Sequence, residues 1–191
     1  MIGLKQGVMV VLLLLLLNAC GNQKTTAKKY HRLAVDISQP AQSQLREDTL
    51  VIKRPKALSI LGGRPMVATQ DDGSLVQLSH HFWLDSPKIL LQDILRTWAS
   101  SQWQTVSYQV PSNQPHQVLD SRILAFEKQQ NQANVTIEFL LYNDDYQLIF
   151  NQTLSQSQTL NGEGYRAYVR ASVAAVEAIL AELQEQLAHV H

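Results

Sequence analysis

Three long β-rich segments, residues 118–128, 134–142 and 147–158, stand in series with only a few polar residues between them. A parallel crossover needs a dozen or more residues, so the links at 129–133 and at Asn143-Asp144-Asp145 force an antiparallel meander. The middle segment alternates, with Val135, Ile137, Phe139 and Leu141 on one face and Thr136, Glu138 and Leu140 on the other. That is the pattern of a sheet covered on one side. The cover follows in the chain. From Tyr165, residues Val169, Ser172, Val173, Val176, Ile179, Leu180, Leu183 and Leu187 keep helical spacing for more than five turns, and the alanines between 167 and 181 favour helix and close approach to a sheet. Gly162 and Gly164 loosen the chain ahead of this helix. They lack the rest of a nucleotide-binding fingerprint. His189 and His191 read as a frayed end.

Residues 54–98 are the richest stretch of the first half. Residues 65–69 and 74–78 read as strands around Gln70-Asp71-Asp72-Gly73, a hairpin signal in which Gly accepts the positive φ of the turn. The two carboxylates suggest an acid–base pair or metal ligands, but turn chemistry accounts for them without either. An aromatic segment, His80-His81-Phe82-Trp83-Leu84, precedes Asp85-Ser86-Pro87, where Ser86 is placed to cap a helix and Pro87 to open it. Leu90, Leu91, Ile94, Leu95 and Trp98 then draw an apolar stripe at intervals of three and four. The adjacent histidines have no further ligand beside them at helical spacing, so a polar strand end is the reading and no metal or cofactor is expected. Aromatic clusters of this kind are common at interface hot spots, which makes His81 and Phe82 the candidate partner-binding residues.

Earlier in the chain, Tyr30, Leu33, Val35 and Ile37 mark a strand ending before Pro40, and residues 39–48 a loop. Residues 49–53 form a second strand stopped by Pro55, and 56–61 a short helical turn before Gly62-Gly63. Residues 103–110 are a further strand ending at Pro111. The expected architecture is α/β with α+β character: a mixed, largely antiparallel sheet under two amphipathic helices, in one domain at 30–191. A chain of 191 residues that is 45% hydrophobic is enough for one such core.

The N-terminus carries a different signal. Lys5 precedes ten unbroken apolar residues, Val8 to Leu17, followed at once by Asn18-Ala19-Cys20. Ten residues are too few to span a bilayer, which needs about 20, but they suit a secretory signal over residues 1–19. Cys20 is the single cysteine of the chain, so its acylation would leave no disulfide, thiolate metal site or thiol nucleophile. The end of the signal resembles a bacterial lipobox, which implies that residues 20–29 are a lipidated Cys and a polar tether. With 16 basic and 16 acidic residues the chain offers no electrostatic case for nucleic acid. No G-x-S-x-G, H-E-x-x-H or S-x-x-K is present to suggest an enzyme.

The lipobox-like end of the signal, Tyr30-x-x-Leu33, Val51-Ile52-Lys53-Arg54-Pro55, Gly63-Arg64-Pro65-Met66-Val67, and Trp83-Leu84-Asp85-Ser86-Pro87 with its helix together resemble the ABC-type transport auxiliary lipoprotein family. The resemblance runs from about Tyr30 to Leu187. It implies acylation with palmitate-type chains at Cys20, and Gly21, rather than Asp, after that cysteine points to the outer membrane on the periplasmic side. It implies a non-catalytic accessory of an envelope lipid-transport system that docks or guides an MCE-domain protein bridging the two membranes, beside the associated transporter, with self-association left open. The implied fold is similar to the anticodon-binding-domain arrangement of the TolB N-terminal domain. A periplasmic carrier of lipid or small ligands is the alternative.

Overall fold

The computed structural model describes residues 27–37, 45–112 and 114–190. The signal and Cys20 lie outside the described residues, as do His191 and most of the expected loop at 39–48. The chain order is β1 (Lys29–His31), β2 (Arg46–Ile52), β3 (Lys56–Ala57), β4 (Pro65–Thr69), β5 (Leu75–Trp83), α1 (Pro87–Ala99), β6 (Trp103–Ser107), β7 (His116–Gln129), β8 (Gln132–Tyr142), β9 (Leu148–Thr159) and α2 (Gly164–Leu187). This is a mixed α+β fold with an open, largely antiparallel sheet and two helices.

The 14-residue β7 organises the sheet. One of its edges runs antiparallel to β8, from Val118 opposite Tyr142 to Gln129 opposite Gln132, and β8 pairs with β9 in the same sense. That is the expected meander. The other edge of β7 is shared by three short parallel strands: β2 against residues 116–119, β3 against 122–123 and β4 against 127–129. The ladder changes strand where it must. Pro55 has no N–H to donate, so β2 ends before it and the chain rejoins β7 only at Lys56, whose ammonium also pairs with Asp120 at 2.8 Å. β6 extends the sheet beyond β2, and the β4–β5 hairpin extends it the other way, ending in β1 parallel to β5.

Burial follows the sequence pattern closely in β8, where Val135, Ile137, Phe139 and Leu141 are buried and the residues between them half-buried. α2 packs on β8 and β9, with Ala167, Ala171 and Ala175 bringing its backbone close and Val176, Ile179, Leu180 and Leu183 filling the layer. α1 packs on β2 and β6 through Leu91, Ile94, Leu95 and Trp98. Both helices contribute to one core cluster. Arg46 of β2 joins the layers: its guanidinium lies 4.9 Å over the Trp103 ring and donates to the Leu187 carbonyl at 2.5 Å. α2 has no basic residue in its own last turn, so Arg46 supplies the cation that its C-terminal dipole favours.

Four expectations are corrected. Residues 32–37 are extended but unladdered: Leu33 is buried and Val35 and Ile37 pack on the core, while the Asp36 N–H donates to Glu177 on α2 at 2.9 Å. The in–out alternation is genuine; it belongs to a strap across a helix, not to a strand beyond residue 31. Residues 56–57 are a strand, and the turn that follows is confined to 58–62, where Leu58 O accepts from Leu61 and Gly62. β6 stops at Ser107, three residues short of the expected end, because the Ser107 hydroxyl folds back to bond the Gln109 backbone. Ser86 occupies the N-cap position, but its hydroxyl makes no capping bond and is buried without a partner. Its carbonyl instead accepts from Ile89 and Leu90, and its N–H is taken by the Asp85 carboxylate at 2.7 Å.

Candidate functional site

Strand periodicity decides what the aromatic segment presents. Successive side chains of β5 point to opposite faces, so His81 and Trp83 go one way and Phe82 the other. The parallel register with β1 sets Lys29 beside His81, Tyr30 beside Phe82 and His31 beside Trp83. The edge of the sheet therefore has two distinct chemical faces.

On the helix side, Trp83 is 1% exposed and packs against Phe126 and Tyr168, with ring centroids at 5.2 and 5.8 Å. It is core. One step outward, His81 stacks on Tyr165 of α2, centroids 3.4 Å apart, and its Nδ1 lies 3.4 Å from Nε2 of His31. Burial is the first cause holding both imidazoles below the ordinary histidine range; Lys29 and Arg166 add to it for His31, and His31, Lys29 and His80 for His81. The pair forms the wall of a cleft of about 640 Å³ lined by Lys29, Tyr30, His31, His81 and the first turn of α2, Gly164 to Arg166. Gly164 starts that turn at φ +76°, a conformation costly for other residues.

On the opposite side, Tyr30 is 51% exposed, with its ring 5.5 Å from the half-buried Phe82. Lys28 lies 5.5 Å over Phe82, and the Arg64 guanidinium 4.9 Å over Tyr30. Arg64 also donates to Leu84 O at 2.7 Å, and Leu84 is 42% exposed. This is an open cation–aromatic surface, each contact of the kind that contributes about 0.5–1 kcal/mol when exposed.

His81 and Phe82, adjacent in sequence, thus belong to different surfaces. The residues that complete each one, His31, Tyr165 and Arg166 on one side and Tyr30, Lys28 and Arg64 on the other, escaped the sequence reading of a site. Tyr30 and Arg64 do sit inside two of the motifs that carry the family resemblance. His31 joins His81 only through a parallel pairing across 50 residues. Among the described residues no group of three or more His, Cys, Asp or Glu is placed to hold a metal, and no helix is long and apolar enough to cross a membrane. Asp72 behaves as turn chemistry requires. Its carboxylate accepts from the Ser74 hydroxyl at 2.7 Å and N–H at 2.9 Å, which hold it below the usual carboxylate range, and Gly73 takes φ +84°.

The fold and these surfaces can be set against known proteins. The family model for the ABC-type transport auxiliary lipoprotein component matches residues 31–188, which includes every strand and both helices apart from the first two residues of β1. The chain belongs to this family. As an ABC-type transport auxiliary lipoprotein component it is membrane-associated and works with an ABC transporter. Two solved structures share its fold. Protein XCC0632 from Xanthomonas campestris, of the DUF330 family, superposes with a TM-score of 0.72 at 17% identity, covering 83% of this chain and 94% of its own. A second crystal structure, of an uncharacterized protein, gives 0.69 at 16% identity and covers 84% and 99%. Among curated proteins none matches the sequence.

Proposed function

We propose that this auxiliary component is an outer-membrane lipoprotein, held through acylated Cys20 with its folded part in the periplasm, that docks or guides an MCE-domain bridging protein of an envelope lipid-transport system. It catalyses no bond change; its work is to present a surface. The observation that carries the reading is the exposed Tyr30–Phe82 face with Lys28, Arg64 and Leu84, because aromatic and arginine side chains clustered on an open sheet edge match the composition of interface hot spots. Its position agrees with an anchored protein. Tyr30 is ten residues after Cys20, so the face lies within roughly 35 Å of an acylated cysteine even for a fully extended tether. Two or three acyl chains would anchor stably where one would not.

Docking is favoured over the carrier reading by what fills the layer between sheet and helices. Trp83, Trp98, Trp103, Tyr168 and Phe139 are all fully buried there. Two experiments test the proposal. Cys20→Ser should abolish metabolic labelling with palmitate while leaving a folded domain; label retained in the mutant would remove the anchor. Crosslinking in the native envelope should capture the MCE-domain protein through residues of the Tyr30–Phe82 face. Crosslinks confined to other surfaces, or phospholipid co-purifying in native mass spectra without any such partner, would replace docking by another role.

A further inference from the structure

The cleft on the helix side of β5 borders the docking face at Tyr30 but has its own chemistry. Its walls bring together four nitrogen-bearing side chains, Lys29, His31, His81 and Arg166, from β1, β5 and the first turn of α2. The charged or titratable groups around the two imidazoles are Lys29, His80, Arg166, the stacked Tyr165 and each other, and none is a carboxylate. Glu163, just ahead of α2, is exposed and outside the lining, and makes no capping bond. Among the described residues Lys29 and Arg166 form no ion pair or hydrogen bond of their own. Positive groups gathered without a counter-charge, around imidazoles that burial and those same charges keep neutral, suit an anion and oppose a metal cation.

We propose that this cleft binds a phosphate-bearing anion between the His31–His81 pair and Arg166. The volume, about 640 Å³, falls in the range of small-molecule sites and exceeds what a bare phosphate fills, so a phosphate with a small substituent is accommodated. Arg166 offers a bidentate fork to two phosphate oxygens, and Lys29 a point charge. The imidazoles, with facing nitrogens 3.4 Å apart, share one hydrogen bond when neutral and repel when both are charged. An anion held beside the pair, on the Arg166 side, offsets that repulsion, so binding draws protons onto the pair, which titrates as a unit. Affinity therefore rises as pH falls. The same chemistry has two sources, the headgroup of a phospholipid in the anchoring membrane or a free phosphate in solution.

The test uses the full-length lipoprotein with ¹⁵N-labelled histidine rings, followed by NMR through a pH titration. It is placed in nanodiscs of phosphatidylglycerol, in nanodiscs of a phosphate-free galactolipid, and in the latter with added inorganic phosphate. The expected result is a rise in the midpoint of the His31–His81 pair with a phosphate source and no rise in galactolipid alone. Phosphate affinity should be at least tenfold higher at pH 5.5 than at pH 7.5, and at least fivefold weaker in Arg166→Gln at an unchanged melting temperature. Arg166 is exposed, so this variant spares the fold. A response to phosphatidylglycerol alone assigns the headgroup, and one to added phosphate assigns a free ligand; either supports the site. An identical titration in all three conditions, an undiminished response in Arg166→Gln, or a response to zinc chloride in place of phosphate overturns it. The free-phosphate arm does not depend on the acyl anchor, so failure of the site is distinguishable from failure of the proposed localisation.

Discussion

Two ends of the sheet are built from aromatic side chains and use them in opposite ways. At one end Trp98 of α1 and Trp103 of β6, rings 5.9 Å apart, are 0% and 1% exposed, with Arg46 closing the gap to the end of α2. At the other, Tyr30, His31, His81 and Phe82 form rings of contact across β1 and β5, yet none of the four is fully buried. Residue type does not separate the two groups. What separates them is the number of elements that cover them: the tryptophans are enclosed by strand, helix and a neighbouring strand, whereas the edge has a helix on one face only and solvent on the other. An enclosed aromatic contributes stability, and an edge aromatic leaves its surface free for recognition.

Substitutions can break that contrast. Trp98→Ala should have the largest effect, costing about 3–5 kcal/mol in urea melts, because a fully buried ring leaves a cavity its neighbours only partly fill. An unchanged midpoint would mean that the α1 stripe does not hold the core. Arg46→Ala should cost about 1–2 kcal/mol, through the lost cation at the C-terminus of α2 and the lost contact with Trp103. Fraying confined to residues near Leu187, read by amide exchange, would accompany it.

The histidine pair adds a pH dependence. Both pKa values are held below the ordinary value of 6.5, so between the folded and ordinary values the unfolded chain binds more protons than the folded one. Stability from this pair is full above about 6.5 and falls as the pH drops through that value. A His31→Gln/His81→Gln double variant should flatten that acid-side loss in chemical melts at pH 7.5 and 5.5, and an undiminished slope would place its source elsewhere. Ser86→Ala should be smallest, within about 0.5 kcal/mol of wild type, because no capping bond is lost and a buried unpartnered hydroxyl is removed. A loss of 1 kcal/mol or more would restore the cap.

The enclosed end was legible in the sequence, and the edge was not. β8, α1 and α2 follow from apolar periodicity because one partner surface covers each of them. β4 follows from its hairpin and turn residues. The same reasoning left Trp83 in the aromatic segment without assigning it to the core, where it lies. It failed where the outcome depends on pairing between distant segments. Nothing in residues 29–31 marks a parallel partner at 81–83, so neither the His31–His81 contact nor the separation of His81 from Phe82 was visible. The strap at 32–37 alternates like a strand because an extended chain over a helix buries alternate side chains just as a ladder does. Ser86 failed for a local reason: Pro87 fixes the helix start, but which way a serine hydroxyl turns is a rotamer choice that sequence does not encode.

The central claim is that the Tyr30–Phe82 face is a binding surface and not an extension of the core. Phe82→Ala in the full-length lipoprotein tests it most directly, with affinity for an immobilised MCE-domain bridging protein and the urea midpoint measured on the same sample. The account predicts binding weakened by more than 1 kcal/mol, about fivefold, with a loss of stability well below that of Trp98→Ala. Unchanged binding by a protein whose fold is intact would contradict it.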